Sequence, residues 1–296
     1  MINKPLSALF ISVLSASFAA IFIVSCDAPS LSIALYRLLF TTLLILPFVF
    51  LNKNVHKELL EIPRSTFIVM VGIGLVLAAH FAFWITSLEF TSVASSVMLV
   101  TAHPVLVAPV AHYFFKERLS TVNTIGIVLS VSGVVLLVYG NYGLSSLTLD
   151  TLEGNILAIL GGIAAGLYIL GGRKIRRNVS IIPYAIVVYG VGTLALLIIC
   201  LFFKAPVYGL NVNDYWVILL MALISGVFGH TLYNWSLEYV RASLASVVLL
   251  GEPLFSTLFA FTIPWIHQVP SEFTIFGGSV IILGIYMTSR NNSGYN

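Results

Sequence analysis

The chain alternates long apolar stretches with short polar clusters. Cutting it at these clusters leaves ten apolar stretches, at residues 5–25, 31–51, 67–88, 92–115, 121–140, 154–172, 181–203, 215–237, 242–264 and 272–289. A hydrocarbon core of about 30 Å is crossed by about 20 helical residues, so each stretch is long enough to span a membrane. The stretches lack period-two alternation, which favours helices over a barrel. We number the predicted membrane helices α1 to α10 in this order.

The second half of the sequence repeats the first. Ser87-Leu88-Glu89-Phe90 runs on to His103-Pro104, and Ser236-Leu237-Glu238-Tyr239 runs on to Glu252-Pro253, 149 residues later. Five helices per repeat is an odd number, so the second repeat enters the membrane from the opposite side. The pattern predicts an all-α polytopic membrane protein of ten helices in two inverted five-helix repeats, typical of secondary transporters. The predicted divisions are a first repeat at 1–140, an outer linker at 141–153, a second repeat at 154–290 and a cytoplasmic tail at 291–296.

Composition and charge agree with a membrane protein. Hydrophobic residues make up 59% of the chain and charged residues 8%, whereas about a quarter of a soluble domain is charged. With the N-terminus inside, the predicted inner loops contain twelve of the fourteen basic residues, and only Lys204 lies outside, while Arg37 lies within α2. The positive-inside rule therefore predicts cytoplasmic termini in the cell inner (plasma) membrane. The inner loops account for the net charge of +3 without a nucleic-acid partner.

Motifs for metal or cofactor chemistry do not occur in the sequence. There is no zinc spacing, no His-Glu-x-x-His pair and no phosphate-binding glycine loop with a lysine, so we expect no metal, cofactor or direct use of ATP. Ile23-Val24-Ser25-Cys26 resembles a lipoprotein cleavage site, but α1 is needed to complete the first repeat and we expect it to be retained. Cys26 and Cys200 are expected to be unpaired thiols.

Several motifs in order resemble a known family. They are Tyr36-Arg37, Leu-Glu-Phe-Thr-Ser-Val-Ala-Ser-Ser at 88–96, Pro104, Phe-Phe-Lys-Glu-Arg-Leu-Ser at 114–120, and the pair Gly126 and Gly133. Together with Gly154–Arg173 and Leu237–Tyr286 they are similar to the drug/metabolite transporter superfamily, in its ten-helix EamA-type branch. The resemblance implies two inverted repeats and transport of small metabolites, often amino acids exported from bacteria.

Glu252 and His103 are the leading site candidates. Glu252 is the one acidic residue well inside a predicted helix, where a carboxylate is expensive unless it faces a cavity, a partner or a proton. His103 occupies the equivalent position of the first repeat. Pro253 and Pro104 follow them and break the helical hydrogen bonding. Glu252 is interpreted as a ligand for a substrate amine or as a protonation site, and packing remains the alternative for both residues.

Further candidates lie on α2, α3 and α8. His80 and His230 are placed toward opposite mouths of a central cavity, with Trp84, Tyr233 and Asn234 about one turn further along as binding or stacking groups. Interface anchoring is the alternative for Trp84. Arg37 lies roughly 9 Å from the outer end of α2, measured along the helix axis. Its favoured interpretation is an anchor that snorkels to the head groups, and the alternative is recognition of a substrate carboxylate.

These candidates lead to one functional hypothesis and two alternatives. The hypothesis is a secondary transporter that exports a small organic metabolite by alternating access, driven by the substrate gradient alone or with coupled protons. The alternatives are an intramembrane enzyme using Glu252 and His103 as acid and base, and a non-transporting structural membrane protein. The expected partners are a small-molecule substrate and the lipid bilayer. Small residues on α5 (Gly126, Ser130, Gly133) and α10 (Gly277, Gly284) predict either a scaffold or a dimer face, so the chain is a monomer or a homodimer.

Overall fold

The computed structural model describes residues 4–91, 93–117, 119–142, 152–263 and 272–289, and these are helical with short connections and no strand. Six of the helical spans combine the length and hydropathy needed to cross a membrane, and four shorter apolar helices accompany them. The prediction of an all-helical membrane protein is confirmed in this part of the chain, and the six long and four shorter apolar helices agree with the predicted number of ten. The predicted linker at 141–153 lies mostly outside the described residues, and the tail at 291–296 lies wholly outside them.

Most helices of the first repeat have their predicted bounds within a few residues. They are α1 (Lys4–Ala16 and Ala19–Val24), α2 (Ser30–Ile45 and Pro47–Leu51), α3 (Arg64–Phe90), α4 (Val93–Thr101 and Pro104–Phe114) and α5 (Thr121–Tyr142). A short amphipathic helix, Lys53–Glu61, joins α2 to α3. Glu89 at the end of α3 accepts hydrogen bonds from the backbone N–H and the hydroxyl of Ser30, at 3.1 and 2.5 Å. It therefore caps the first turn of α2.

The second repeat has the same order with two additional irregularities. Its helices are α6 (Leu152–Arg176), α7 (Ile181–Phe203), α8 (Val212–Met221, Ala222–Thr231 and Leu232–Ser236), α9 (Ala242–Val248 and Glu252–Thr262) and α10 (Glu272–Ser289). The middle section of α8 is a π-helix, and Leu249–Gly251 forms a 3-10 turn between the halves of α9. The break in α9 agrees with the one predicted from Pro253, whereas the π-helical section of α8 was not predicted.

The two repeats exchange their first helices. α6 packs on α3 and α4 of the first repeat, and α1 packs on α8 and α9 of the second. Glycines allow the close approach: a Cβ on Gly162 of α6 would lie 2.9 Å from the Val100 carbonyl oxygen of α4, and one on Gly229 of α8 would lie 3.4 Å from Ala16 of α1. This reciprocal packing is expected of repeats related by a two-fold axis, and it forms a core between them.

The small residues of α5 and α10 face each other. A Cβ on Gly126 would lie 2.7 Å from the Gly284 carbonyl oxygen, and one on Gly133 would lie 2.7 Å from that of Gly277. The backbones touch at these positions because no side chain intervenes. The stripes are therefore used within one chain, as the scaffold interpretation predicts.

Candidate functional site

A cavity lined by both polar and apolar side chains lies between the repeats. Its wall includes seven of the residues singled out from the sequence, namely Arg37, His80, Trp84, His103, His230, Tyr233 and Glu252. They come from α2, α3 and α4 of the first repeat and from α8 and α9 of the second. Apolar and small residues such as Ala165 and Ile169 complete the wall. Polar groups from both repeats thus converge on one space, although any role in binding remains a prediction.

His103 and Glu252 lie at the breaks in α4 and α9. α4 stops at Thr101 and restarts at Pro104, with His103 as the N-cap of the second half. The ring nitrogen Nδ1 of His103 donates to the Thr101 carbonyl oxygen at 2.8 Å, which leaves Nε2 as the free acceptor. Glu252 begins the second half of α9. A carboxylate at a helix N-terminus is favoured by the partial positive charge of the first turn.

An aromatic layer from α3 lines the same cavity. His80 stacks on Trp84 at 5.8 Å between ring centroids, and its Nδ1 donates to the Gly161 carbonyl oxygen of α6 at 2.9 Å. Phe81 meets the ring of His230 edge to face at 5.3 Å. The ring of Phe81 therefore lies between the two histidines, which line the same cavity.

Arg37 faces the cavity, so the favoured prediction of a snorkelling anchor is wrong. Its residue surface is 1% exposed, and its guanidinium lies 4.6 Å above the ring of Phe81 and 5.8 Å from that of Trp84. Neither Nε nor Nη1 has a hydrogen-bond partner among the described residues. The side chain points inward because α2 presents this face to α3.

Asn234 lies outside the cavity wall. Its amide nitrogen donates to the hydroxyls of Tyr168 and Tyr189, at 2.5 and 3.2 Å, and to the carbonyl oxygen of His230 at 2.6 Å. These contacts fix the tyrosines and the end of the π-helical section behind the cavity. Of the eight predicted binding or coupling residues, the structure brings all but Asn234 to the cavity.

Two features of the site were missed in the sequence. Tyr168 of α6 lines the cavity next to His230, with ring centroids 6.4 Å apart. A tyrosine in the middle of an otherwise small and apolar helix was the available signal. The π-helical section Ala222–Thr231 contains His230, and such sections often mark functional sites. Its residues have ordinary apolar character, so the sequence carried no visible signal for it.

A buried charge network closes one end of the bundle. Glu117, between α4 and α5, lies 3.5 Å from Arg173 of α6 and accepts hydrogen bonds from the backbone N–H groups of Ala242 and Ser243. Arg173 also donates to the Leu237 carbonyl oxygen at 2.6 Å. Arg176, one turn further along α6, pairs with Glu238 at 2.7 Å. Arg173 and Arg176, which had been counted only for orientation, therefore make structural contacts, and the contact of Arg173 with Glu117 joins the two repeats.

A duplicated helical bundle, with broken helices around a cavity that several polar side chains line, is the arrangement expected of a membrane transporter. The comparisons with known proteins lead to the same class. The sequence pattern of the EamA-like transporter family matches residues 3–139 and again 152–290, so this multi-pass membrane protein belongs to that family. The two matched segments correspond to the two halves recognised from the repeated motifs.

Relatives and a solved structure agree with this assignment. An uncharacterized transporter of Archaeoglobus fulgidus is 25% identical over 261 residues, covering 87% of each chain. The uncharacterized transporter YdfC of Bacillus subtilis is 22% identical and covers 86% of this chain and 80% of its own. A protein of known crystal structure superimposes with a TM-score of 0.80 at 17% identity, over 97% of this chain and 96% of its own. The last likeness concerns the fold alone.

Proposed function

We propose that the protein is a secondary transporter that exports a small organic metabolite, an amino acid or a related compound. The observation that carries the proposal is the cavity to which both repeats contribute a broken helix, with His103 from one and Glu252 from the other. Where half-helices meet near the middle of a bundle, their backbone and side-chain groups are free to bind a solute and its coupling ion. Membership in a transporter family favours transport over the intramembrane acid–base chemistry that the same two residues would permit.

Alternating access supplies the mechanism. The helix groups α1–α4 and α6–α9 rock about the cavity, within repeats bounded at 1–140 and 154–290. The contacts of Glu117 with Arg173 and with the backbone N–H of Ala242 support this step, because they join the repeats at one end of the bundle. Opening that end requires these contacts to separate, and closing it restores them.

Glu252 links substrate movement to protons. One carboxylate is neutralised by a proton or by a substrate ammonium group, and not by both at once. If the protein releases the substrate amine outside and returns with a proton bound, it exchanges substrate for proton. The inward proton gradient then drives export of the substrate. The substrate gradient alone can also drive transport if the ammonium is the only cation that Glu252 binds.

The proposal is tested by transport in liposomes. We would reconstitute the full chain and measure uptake of radiolabelled amino acids, nucleosides and cationic compounds, with and without an imposed pH gradient. We expect saturable flux of at least one amino acid or related compound, absent from protein-free liposomes. Absence of flux for every compound, from protein that is monodisperse and folded, would reject transport of this class.

The charge distribution predicts cytoplasmic termini, and single cysteines test the orientation. In a Cys26→Ser, Cys200→Ser background, Tyr208→Cys and Asn178→Cys place a thiol on exposed loops at opposite ends of the bundle. We expect a membrane-impermeant maleimide to label Tyr208→Cys in intact cells and Asn178→Cys only after the membrane is opened. The reverse labelling pattern would invert the proposed topology.

A further inference from the structure

The π-helical section of α8 distinguishes this helix from α3, which occupies the equivalent place in the first repeat. α3 is one uninterrupted α-helix over Arg64–Phe90, whereas α8 is wound more widely over Ala222–Thr231. Backbone hydrogen bonds in a π-helix span five residues instead of four, so a short section of this kind takes up one additional residue. We therefore expect α8 to be one residue longer than α3 between equivalent positions.

Burial along the two helices locates the additional residue. Residues 70–79 of α3 and 218–227 of α8 have the same order of buried, half-buried and exposed residues at every position, at an offset of 148. Residues 80–87 and 229–236 agree at all but one position, at an offset of 149. Phe228, which is 51% exposed, lies between the matched segments. α8 therefore has one residue more than α3, at Phe228.

Packing against neighbouring helices supports the first of these offsets, by which Ala222 corresponds to Gly74. The Ala222 carbonyl oxygen lies 3.4 Å from Oγ1 of Thr41 on α2. The Gly74 carbonyl oxygen faces α7 in the same way, since a Cβ on Gly192 would lie 3.2 Å from it. Up to the π-helical section, α3 and α8 thus present the same face to their neighbours.

The second offset brings equivalent faces of the two helices to the cavity. Tyr233 corresponds to Trp84, and both line the cavity wall. Each residue of an α-helix turns the chain by about 100°, because there are about 3.6 residues per turn. If α8 kept Phe228 but were α-helical throughout, His230 and Tyr233 would turn by about 100° relative to the residues before the section. The wide winding therefore holds both faces of α8 in register.

The hydrogen bonding of the section is suited to a change of winding. The hydroxyl of Thr231 donates to the Gly226 carbonyl oxygen, five residues earlier, at 3.1 Å. The backbone N–H of Leu232 reaches the carbonyl oxygens of both Gly229 and Val227. Buried backbone groups need partners, and an N–H shared between two acceptors exchanges one for the other without becoming unpaired.

We infer that this section is the joint at which α8 changes its winding during transport, so that His230 and Tyr233 turn relative to the cavity while α3 keeps its shape. The inference rests on the proposed transport function and adds a moving part to it. α8 can adopt both windings because Phe228 is one residue more than the α-helical register needs. The His230 ring meets Phe81 of the first repeat edge to face at 5.3 Å. Turning α8 breaks this contact and changes the groups that a solute meets.

Deleting the additional residue tests the assignment without reference to transport. Deletion of Phe228 should leave one continuous α-helix with both faces in register, and a melting temperature equal to or above that of the parent. The matched control is deletion of Leu75, which is also exposed but lies in α3. There the buried face beyond the deletion turns by about 100° toward lipid, so we expect a lower melting temperature or no folded protein. Equal losses from the two deletions would overturn the inference.

Counterflow in proteoliposomes tests the movement, with radiolabelled amino acids, nucleosides and cationic compounds as probes. Deletion of Phe228 should lower the maximal rate at least roughly tenfold at an unchanged half-saturating concentration, because the site is kept and the conformational step is lost. Phe228→Ala keeps the number of residues and should transport like the parent. Parent-like flux in the folded deletion variant would refute the joint. So would weaker apparent affinity at an unchanged maximal rate, which would make the section only part of the cavity wall.

Distances between spin labels give an answer that needs no substrate. In the background without native cysteines, Val212→Cys and Tyr239→Cys label the two ends of α8. Arg64→Cys and Phe90→Cys label the equivalent ends of α3, and all four positions are exposed. Each pair is separated by about 40 Å of helix. We expect two distances for α8 in liposomes, one for α3, and one for α8 after deletion of Phe228.

The outcomes separate the joint from the proposed function. One narrow distance for α8 in a parent that transports would overturn the joint and leave transport standing. Two distances for α8 in a parent that carries none of the probes would support the change of winding and reject the proposed transport.

Discussion

Replacing Glu252 by glutamine is expected to abolish substrate accumulation driven by a pH gradient. The amide keeps the size and much of the hydrogen bonding of the carboxylate but neither titrates nor carries a charge. Glu252 lines the cavity at the break of α9, and none of the other residues named in the cavity wall is an acid that could replace it. The measurement is uptake into proteoliposomes with and without an imposed gradient, using Glu61→Gln on the exposed loop helix as the control.

Exchange of substrate in the same vesicles distinguishes the two roles of Glu252. If Glu252 binds a substrate ammonium group, exchange falls together with accumulation, because the ammonium group loses its counter-charge. Retained exchange with lost accumulation would assign Glu252 to protons alone. His103→Gln should give a weaker form of the same defect, since it holds the equivalent position in the other repeat. Parent-like transport by Glu252→Gln at normal expression, over the whole pH range, would reduce this residue to packing.

The fold was largely predictable because lipid imposes simple requirements on sequence. Every spanning segment must be apolar and helical, so segment positions can be found from hydropathy alone. The repeated Ser-Leu-Glu motif also predicted a two-fold relation, which agrees with the exchanged packing of α1 and α6. The π-helical section of α8 was not predictable, because its backbone hydrogen bonding differs while its side chains remain those of any membrane helix.

The candidate site was predictable only in part, for reasons visible at individual residues. Matched prolines after His103 and Glu252 marked the breaks, and these two side chains line one cavity. Arg37 was misjudged because its position along α2 gives its distance from the helix end but not the direction of its side chain. Arg173 was counted as a loop charge, and its contact with Glu117 was not predicted because it joins segments far apart in the chain.

Gly284→Ala is expected to destabilise the protein, because the added methyl group forces α10 away from α5. A Cβ at this position would lie 2.6 Å from the backbone nitrogen of Ser130, which is part of a helix and cannot rotate aside. Overpacking of this kind is worth about 1–3 kcal/mol, or a melting temperature lower by roughly 5 °C. The measurement is thermal unfolding of purified protein in detergent. Light scattering of the folded protein gives its molecular mass and therefore its oligomeric state.

Gly72→Ala provides the matched control for this prediction. It makes the same chemical change inside α3, at a glycine with no atom within 4 Å of the added Cβ. Its melting temperature should equal or slightly exceed that of the parent, because alanine is the better helix former. If Gly284→Ala instead melts like Gly72→Ala and a dimeric parent becomes monomeric, the glycine stripe is a surface between two chains. The expected result is a lower melting temperature at unchanged mass, because α5 and α10 pack against each other within one chain.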